Sequence, residues 1–114
     1  MQDPNCIFCK IVKKESPAEI EYEDAKVMAF WDIRPKAPIH ILVIPKDHFV
    51  SLENLPEANS SLISLMVEAA KKVAVKKNLI TDGYKLIINN GPGVGQTVQH
   101  LHMHLLGGKK MSAL

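Results

Sequence analysis

Near its end the chain reads Gln99-His100-Leu101-His102-Met103-His104-Leu105-Leu106. Three of its five histidines alternate with apolar residues. Side chains on a β-strand point alternately to opposite faces, so this pattern gathers His100, His102 and His104 on one face and Leu101, Met103 and Leu105 on the other. A helix would instead fan the three imidazoles over more than half its circumference. Strict alternation therefore predicts a strand over Gln99–Leu106, with one face in the core and the other a row of groups that titrate, ligate and attack near neutral pH. Neighbouring imidazoles on such a strand are spaced roughly 6.6 Å apart at the backbone, and the outer two roughly 13 Å. One metal ion needs nitrogens at about 2.0–2.1 Å, so three ligands from a single strand would be strained. The row divides its labour instead.

Just upstream, Gly91-Pro92-Gly93-Val94-Gly95-Gln96-Thr97 is glycine-rich. Gly91, Gly93 and Gly95 can adopt positive φ and turn successive N–H groups outward as an anion nest. The alternative is a wide hairpin turn. No Gly-Lys-Ser/Thr follows, so this is not a P-loop. Beside an imidazole the loop suggests phosphate chemistry: oxygens held by loop N–H groups and Thr97, and a neutral imidazole attacking phosphorus to give a labile adduct that water removes. Cys6 and Cys9 form a C-x-x-C, a spacing that points in a reducing compartment to metal or redox chemistry.

The elements that must position these groups follow from the rest of the chain. Cys6–Val12 is a short apolar segment, a brief helix or turn. Glu19–Glu23 alternates as a strand with Ile20 and Tyr22 on one side, Asp24 turns, and Lys26–Trp31 is the hairpin partner. Asp32–Pro38 carries two prolines and is a connection. Ile39–Pro45 is a buried strand with His40 inside it. From Leu55 the period changes: Pro56 suits a first helical position, and Leu62, Leu65, Met66, Ala69, Val73 and Leu79 recur at helical spacing, with Lys71, Lys72, Lys76 and Lys77 in the last turns. This predicts one amphipathic helix of about 20 residues. Asn78, Thr81, Asp82 and Gly83 end it, and Tyr84–Asn90 is a fourth strand. Strands, one long helix, then strands make an α+β domain with an antiparallel sheet, the helix covering one face and the histidines on the other.

The totals agree with one domain over residues 1–114. The chain is 46% hydrophobic and 23% charged, as in ordinary globular proteins. A formal charge of +2, with scattered lysines, gives no footprint for nucleic acid. No apolar run is long enough to span a membrane and no signal peptide is visible, so the expected setting is cytoplasmic.

Gln96–Leu106 resembles the His-x-His-x-His-x-x signature of the histidine triad (HIT) superfamily. Ile7-Phe8, Ala29–Pro35, Ala37–Lys46 and Gly107-Gly108 are similar to its Hint branch, and the likeness runs over nearly the whole chain. The resemblance implies a five-stranded antiparallel sheet with a long helix and a short N-terminal helix, joined to a second copy in a homodimer. It implies binding of purine nucleoside monophosphates and hydrolysis of adenosine 5′-monophosphoramidates through a nucleotidyl-histidine. Carried over by position, His102 is the nucleophile, His104 holds phosphate oxygens and stabilises developing charge, and His40 helps fix the row, a role compatible with that of a satisfied core histidine. Thr97 stands where the branch usually has Ser and keeps the hydroxyl that assists the leaving amine. Asn89 and the backbone of Gly95 and Gln96 contact phosphate, and Asp32 accepts the ribose hydroxyls. Ile7, Phe8, Phe30 and Ile33 sandwich the base, though each could equally be core. Trp31 stands where the branch commonly has His and is expected to alter stacking on the base.

The C-x-x-C supplies half of a tetrahedral zinc site. Some bacterial relatives complete it with a His after the Ile-Pro-Lys strand and with the first triad His, which here are His48 and His100. Structural zinc on Cys6, Cys9, His48 and His100 is thus implied, against free thiols or a redox pair. No thioredoxin-like βαβ pattern surrounds the cysteines. Met111–Leu114 lacks the Trp-Pro of the animal proteins, a feature the resemblance ties to leaving-group preference. Two other functions fit the triad: cleavage of dinucleoside polyphosphates, as in the Fhit branch, and a non-catalytic purine-nucleotide-binding scaffold.

Overall fold

A computed structural model describes residues 2–114. Helix α1 (Ile7–Val12) is followed by β1 (Ile20–Glu23), β2 (Val27–Trp31) and β3 (Ile39–Pro45). Helix α2 (Ser61–Lys76), β4 (Tyr84–Ile87) and β5 (Met103–Gly107) complete the order. The five strands form one sheet in the order β1-β2-β3-β5-β4, with every neighbouring pair antiparallel. This is the α+β architecture expected.

Alternation along the two central strands makes two cores. Val27, Ala29, Ile41 and Val43 turn to one face, with Leu101, Met103 and Leu105, and pack under Leu62, Met66, Ala69 and Val73 of α2. Met28, Phe30, Leu42 and Ile44 turn to the other and pack against Cys6, Phe8, Cys9 and Ile11 around α1. The second face is therefore also covered. The β3–β5 register sets Leu42 opposite His104 and His40 opposite Leu106, which places the histidines on the α1 side.

Three local expectations are corrected. The long helix starts at Ser61, after two single turns of 3₁₀ helix at Leu52–Asn54 and Glu57–Asn59. Pro56 is extended at ψ 150 and caps the second turn rather than opening α2. Leu65 is 41% exposed, whereas Ala70 and Ala74 are buried. At 100° per residue Leu65 lies about 100° from the centre of the buried arc, and alanines on the near side let helix and sheet approach closely. Finally, a bulge between Ile20 and Tyr22 interrupts alternation in β1. Tyr22 packs towards α2, Ile20 does not, and the two no longer share a side.

Glu21 ties β1 to the helix. Its carboxylate accepts Trp31 Nε1 at 2.6 Å and pairs with Lys76 at 2.8 Å and Lys77 at 3.0 Å, while Lys77 also lies 5.3 Å over the Trp31 ring. Burial pushes the Glu21 carboxyl up, but bonds from Lys76, Trp31 and Lys77 outweigh it and hold it at about 2. The folded value lies below the unfolded one of about 4.3, so the stabilisation is complete above that pH and fades as pH falls towards 2. With the side chain only 8% exposed, Glu21→Gln should cost about 2–3 kcal/mol at pH 7 and much less at pH 2. Urea unfolding at the two pH values measures this; an equal loss at both would remove the ionic account.

Candidate active site and metal centre

The histidine row is only partly a strand. β5 begins at Met103, and His100 to His102 lie in bent and extended chain before it, where Leu101 N–H donates to the Phe49 carbonyl at 2.6 Å. The predicted alternation of faces persists nonetheless, because Leu101, Met103 and Leu105 all anchor in the α2 core. The rings of His102 and His104 are 5.1 Å apart, as are those of His104 and His40.

Hydrogen bonds assign each ring a tautomer. The Lys36 N–H donates to His40 Nδ1 at 3.0 Å, so neutral His40 carries its proton on Nε2. That nitrogen lies 2.9 Å from His104 Nδ1 and 3.5 Å from Asp32 Oδ2, and the shorter contact makes His104 Nδ1 the acceptor. The proton of His104 then sits on Nε2, which is buried with no partner among the described residues. An orphaned buried donor is costly and marks a place for an acceptor from a ligand. His102 runs the other way. Its Nδ1–H donates to the His100 carbonyl at 2.7 Å, which leaves the Nε2 lone pair without a protein partner among the described residues. One nucleophilic nitrogen and one donor thus stand on adjacent rings.

Burial depresses the proton affinity of the whole group. It lowers His40, His102 and His104, and His104 falls to about 4 with help from neighbouring His102 and His40. All three are neutral at pH 7, the state a nucleophilic imidazole needs. Asp32, His40 and His104 are also close enough to resemble a cation site, with ligand atoms within 4.8 Å of one another. Both nitrogens of His40 are already committed, so it offers no lone pair. The cluster is a hydrogen-bond chain that fixes His104.

Cys6, Cys9, His48 and His100 converge on a second centre, their ligand atoms likewise within 4.8 Å. His100 Nε2–H donates to the Pro45 carbonyl at 2.9 Å, which turns the Nδ1 lone pair towards Cys6 Sγ at 3.4 Å, Cys9 Sγ at 3.6 Å and His48 Nδ1 at 3.2 Å. His48 Nδ1 lies 3.4 Å from Cys9 Sγ. A tetrahedron with Zn–N of about 2.05 Å has N···N edges of about 3.3 Å, and N···S edges are a little longer. Backbone N–H groups of Asp3 and Cys9 donate to Cys9 Sγ and Cys6 Sγ. Two sulfurs that accept backbone N–H groups, with two imidazole Nδ1 atoms 3.2 Å apart beside them, make a donor set that fits a thiophilic cation.

The remaining predicted residues are distributed as follows. Thr97 is exposed at the end of the glycine loop, and Asn89 packs against Gly95. Gly91 and Gly95 have positive φ but Gly93 does not. The loop is not an open nest: Gly91 N–H donates to Gln96 Oε1, and the N–H groups of Val94, Gly95 and Gln96 bond within the turn at 3.4, 3.4 and 3.1 Å. Sequence reasoning missed the Gln96 side chain, which also donates to the Val50 and Val98 carbonyls and so locks the loop to the chain after β3. Asp32 accepts Arg34 N–H on Oδ1. Phe8 and Phe30 are buried edge to face, while Ile7 is exposed and Ile33 is 89% exposed. A cleft of about 430 Å³ is lined by Glu19, Trp31, Asp32 and Ile33. Trp31 reaches this cleft, but its N–H and ring face are taken by Glu21 and Lys77. A larger cavity of about 640 Å³, lined by Lys77, Asp82, Gly108 and Lys109 among others, holds none of the histidines.

The family profile described as "Scavenger mRNA decapping enzyme C-term binding" matches residues 5–114. The solved HIT family hydrolase from Clostridium thermocellum superposes with a TM-score of 0.96 at 46% identity, covering 99% of this chain and 98% of that one. The chain belongs to the histidine triad family. Among its relatives, protein HitA of Neisseria gonorrhoeae is 48% identical over 103 residues, 90% of this chain and 95% of that protein. The 14 kDa zinc-binding protein of Zea mays is 46% identical over 114 residues, 98% of this chain and 88% of that protein. The HIT fold thus presents here a histidine row beside a candidate metal centre.

Proposed function

We propose that this HIT protein is a purine nucleoside phosphoramidate hydrolase of the Hint branch, acting as a cytoplasmic homodimer. The observation that carries the reading is the opposed pair of tautomers: a lone pair on His102 Nε2 beside an unsatisfied N–H on His104 Nε2. A phosphorus atom placed between them meets a nucleophile and an oxyanion donor at once. His102 Nε2 attacks phosphorus, the P–N bond breaks, and the amine leaves with a proton relayed by the Thr97 hydroxyl. The His100 carbonyl stabilises the cationic nucleotidyl-histidine through the Nδ1–H. Water then attacks phosphorus, returns a proton to Thr97 and frees the neutral ring. Asn89, with the Gly95 and Gln96 backbone, borders the phosphate. Asp32 accepts from the ribose, and Ile7, Phe8, Phe30 and Ile33 wall the base.

The Cys6, Cys9, His48 and His100 set would hold zinc, which supplies no step of this reaction and staples the N-terminal segment to the sheet. The chemistry of the donors supports this, as does the name of the maize relative. Strand β4 ends the sheet and leaves an edge on which a second copy would continue it.

Turnover of a fluorogenic amine-linked AMP tests the proposal. Amine release with a trapped nucleotidyl-protein is expected; tight AMP binding without release would replace the hydrolase by a scaffold. Preference for a dinucleoside polyphosphate would move it to the Fhit branch. His104→Ala removes the orphaned donor, so kcat should fall about 10²–10³-fold, as for loss of one oxyanion-hole donor. An unchanged kcat would dismiss that role.

A further inference from the structure

The nucleophile and the metal centre share a residue. His100 is fully buried, gives Nδ1 to the Cys/His cluster, and accepts the His102 Nδ1–H on its carbonyl at 2.7 Å. The sheet does not hold that carbonyl, because pairing with β3 begins only at Met103. What fixes it is the Leu101 bond to Phe49, the His100 bond to Pro45 and whatever binds His100 Nδ1. A second connection runs through Phe8, which lies within the C-x-x-C. Its ring meets the rings of His100 at 5.8 Å, His102 at 5.3 Å and Phe30 at 5.5 Å, all edge-on. Cys6 and Cys9 hold the one turn of helix that carries it.

We infer that the ion held by Cys6, Cys9, His48 and His100 is a positioning centre for His102, fixing the His100 carbonyl and the Phe8 ring and through them the tautomer and rotamer of the nucleophile. The kinetic consequence rests on the hydrolase reading; the effect on the His102 ring does not. A staple elsewhere in the chain would stabilise the fold without this effect. Here the metal substitutes for the missing ladder just where the reacting nitrogen must be held to within a fraction of an ångström.

His48 bonds neither to His102 nor to the glycine loop, so it is the ligand to change. In His48→Asn, zinc content measured on the purified chain should fall. With the amine-linked AMP, kcat should drop about ten- to a hundredfold, as for loss of an outer support of a site, while the AMP Kd moves less than about threefold. The ¹⁵N ring shifts of His102 should change from a single Nδ1–H tautomer to an exchange average. His48→Cys, which restores a fourth ligand, should recover zinc, tautomer and kcat together. A folded, zinc-free His48→Asn with wild-type kcat and ring shifts would overturn the proposal and leave the metal as a staple. A wild-type chain that takes up no zinc would also overturn it. If His48→Asn does not fold, zinc is titrated into His48→Asp: ring shifts that follow occupancy support the coupling, and ring shifts independent of it refute it. A wild type that hydrolyses nothing defeats the hydrolase reading, and the ring shifts alone then decide this one.

Discussion

His102→Ala should reduce amine release from an amine-linked AMP by at least about a thousandfold, the scale on which removal of a nucleophile acts. AMP should still bind, because the His104 Nε2 donor and the Asp32 carboxylate, proposed above to hold phosphate and ribose, are untouched. The loss should lie in kcat, and no nucleotidyl-protein should form. Two features make this site specific to His102. The His100 carbonyl holds its Nδ1–H, and burial lowers its proton affinity, so the neutral ring presents Nε2. His40 cannot substitute, since its Nδ1 accepts from Lys36 and its Nε2 faces His104. Residual turnover within tenfold of wild type would require another nucleophile and would sink the assignment.

Cys9→Ala should destabilise the protein far more than the loss of one buried sulfur. Cys9 is 1% exposed, and its Sγ lies within 3.6 Å of both His48 Nδ1 and His100 Nδ1. A small-volume truncation in a core costs about 1 kcal/mol, whereas loss of a structural zinc ligand should cost about 3 kcal/mol or more. Thermal unfolding with and without a chelator separates the two. The wild-type Tm should fall when zinc is removed and that of Cys9→Ala should not respond. A wild-type Tm indifferent to chelator would reduce the cluster to packed thiols and imidazoles.

Much of the architecture was legible because it follows from period. The β-branched run of 39–45 buries as a strand and residues 62–73 as a helix, while the alternation in 99–106 gave the right faces although only Met103–Gly107 is strand. The boundaries were less so: extended backbone at Pro56 delayed α2, and a bulge beside Glu21 separated Ile20 from Tyr22. Neither event leaves a mark on hydrophobic spacing. The role of the Gln96 side chain escaped notice for the same reason, since a polar residue in a glycine loop looks solvated until its partners at Gly91, Val50 and Val98 are known.

The sequence by itself determined which side chains are present in a row, which family pattern they match and that a C-x-x-C stands at the other end of the chain. Only the tertiary structure decided what state each imidazole is in. His40, His100, His102 and His104 are the same residue type, yet one passes a proton on, one turns its lone pair to two thiols, one keeps Nε2 free and one holds out an unpaired N–H. Those differences arise from single carbonyls and N–H groups of Pro45, His100 and Lys36, which lie within 3.0 Å of the rings they set. A single backbone group selects each tautomer, from two residues away for His102 to fifty-five for His100, and hydrophobic spacing encodes none of these bonds.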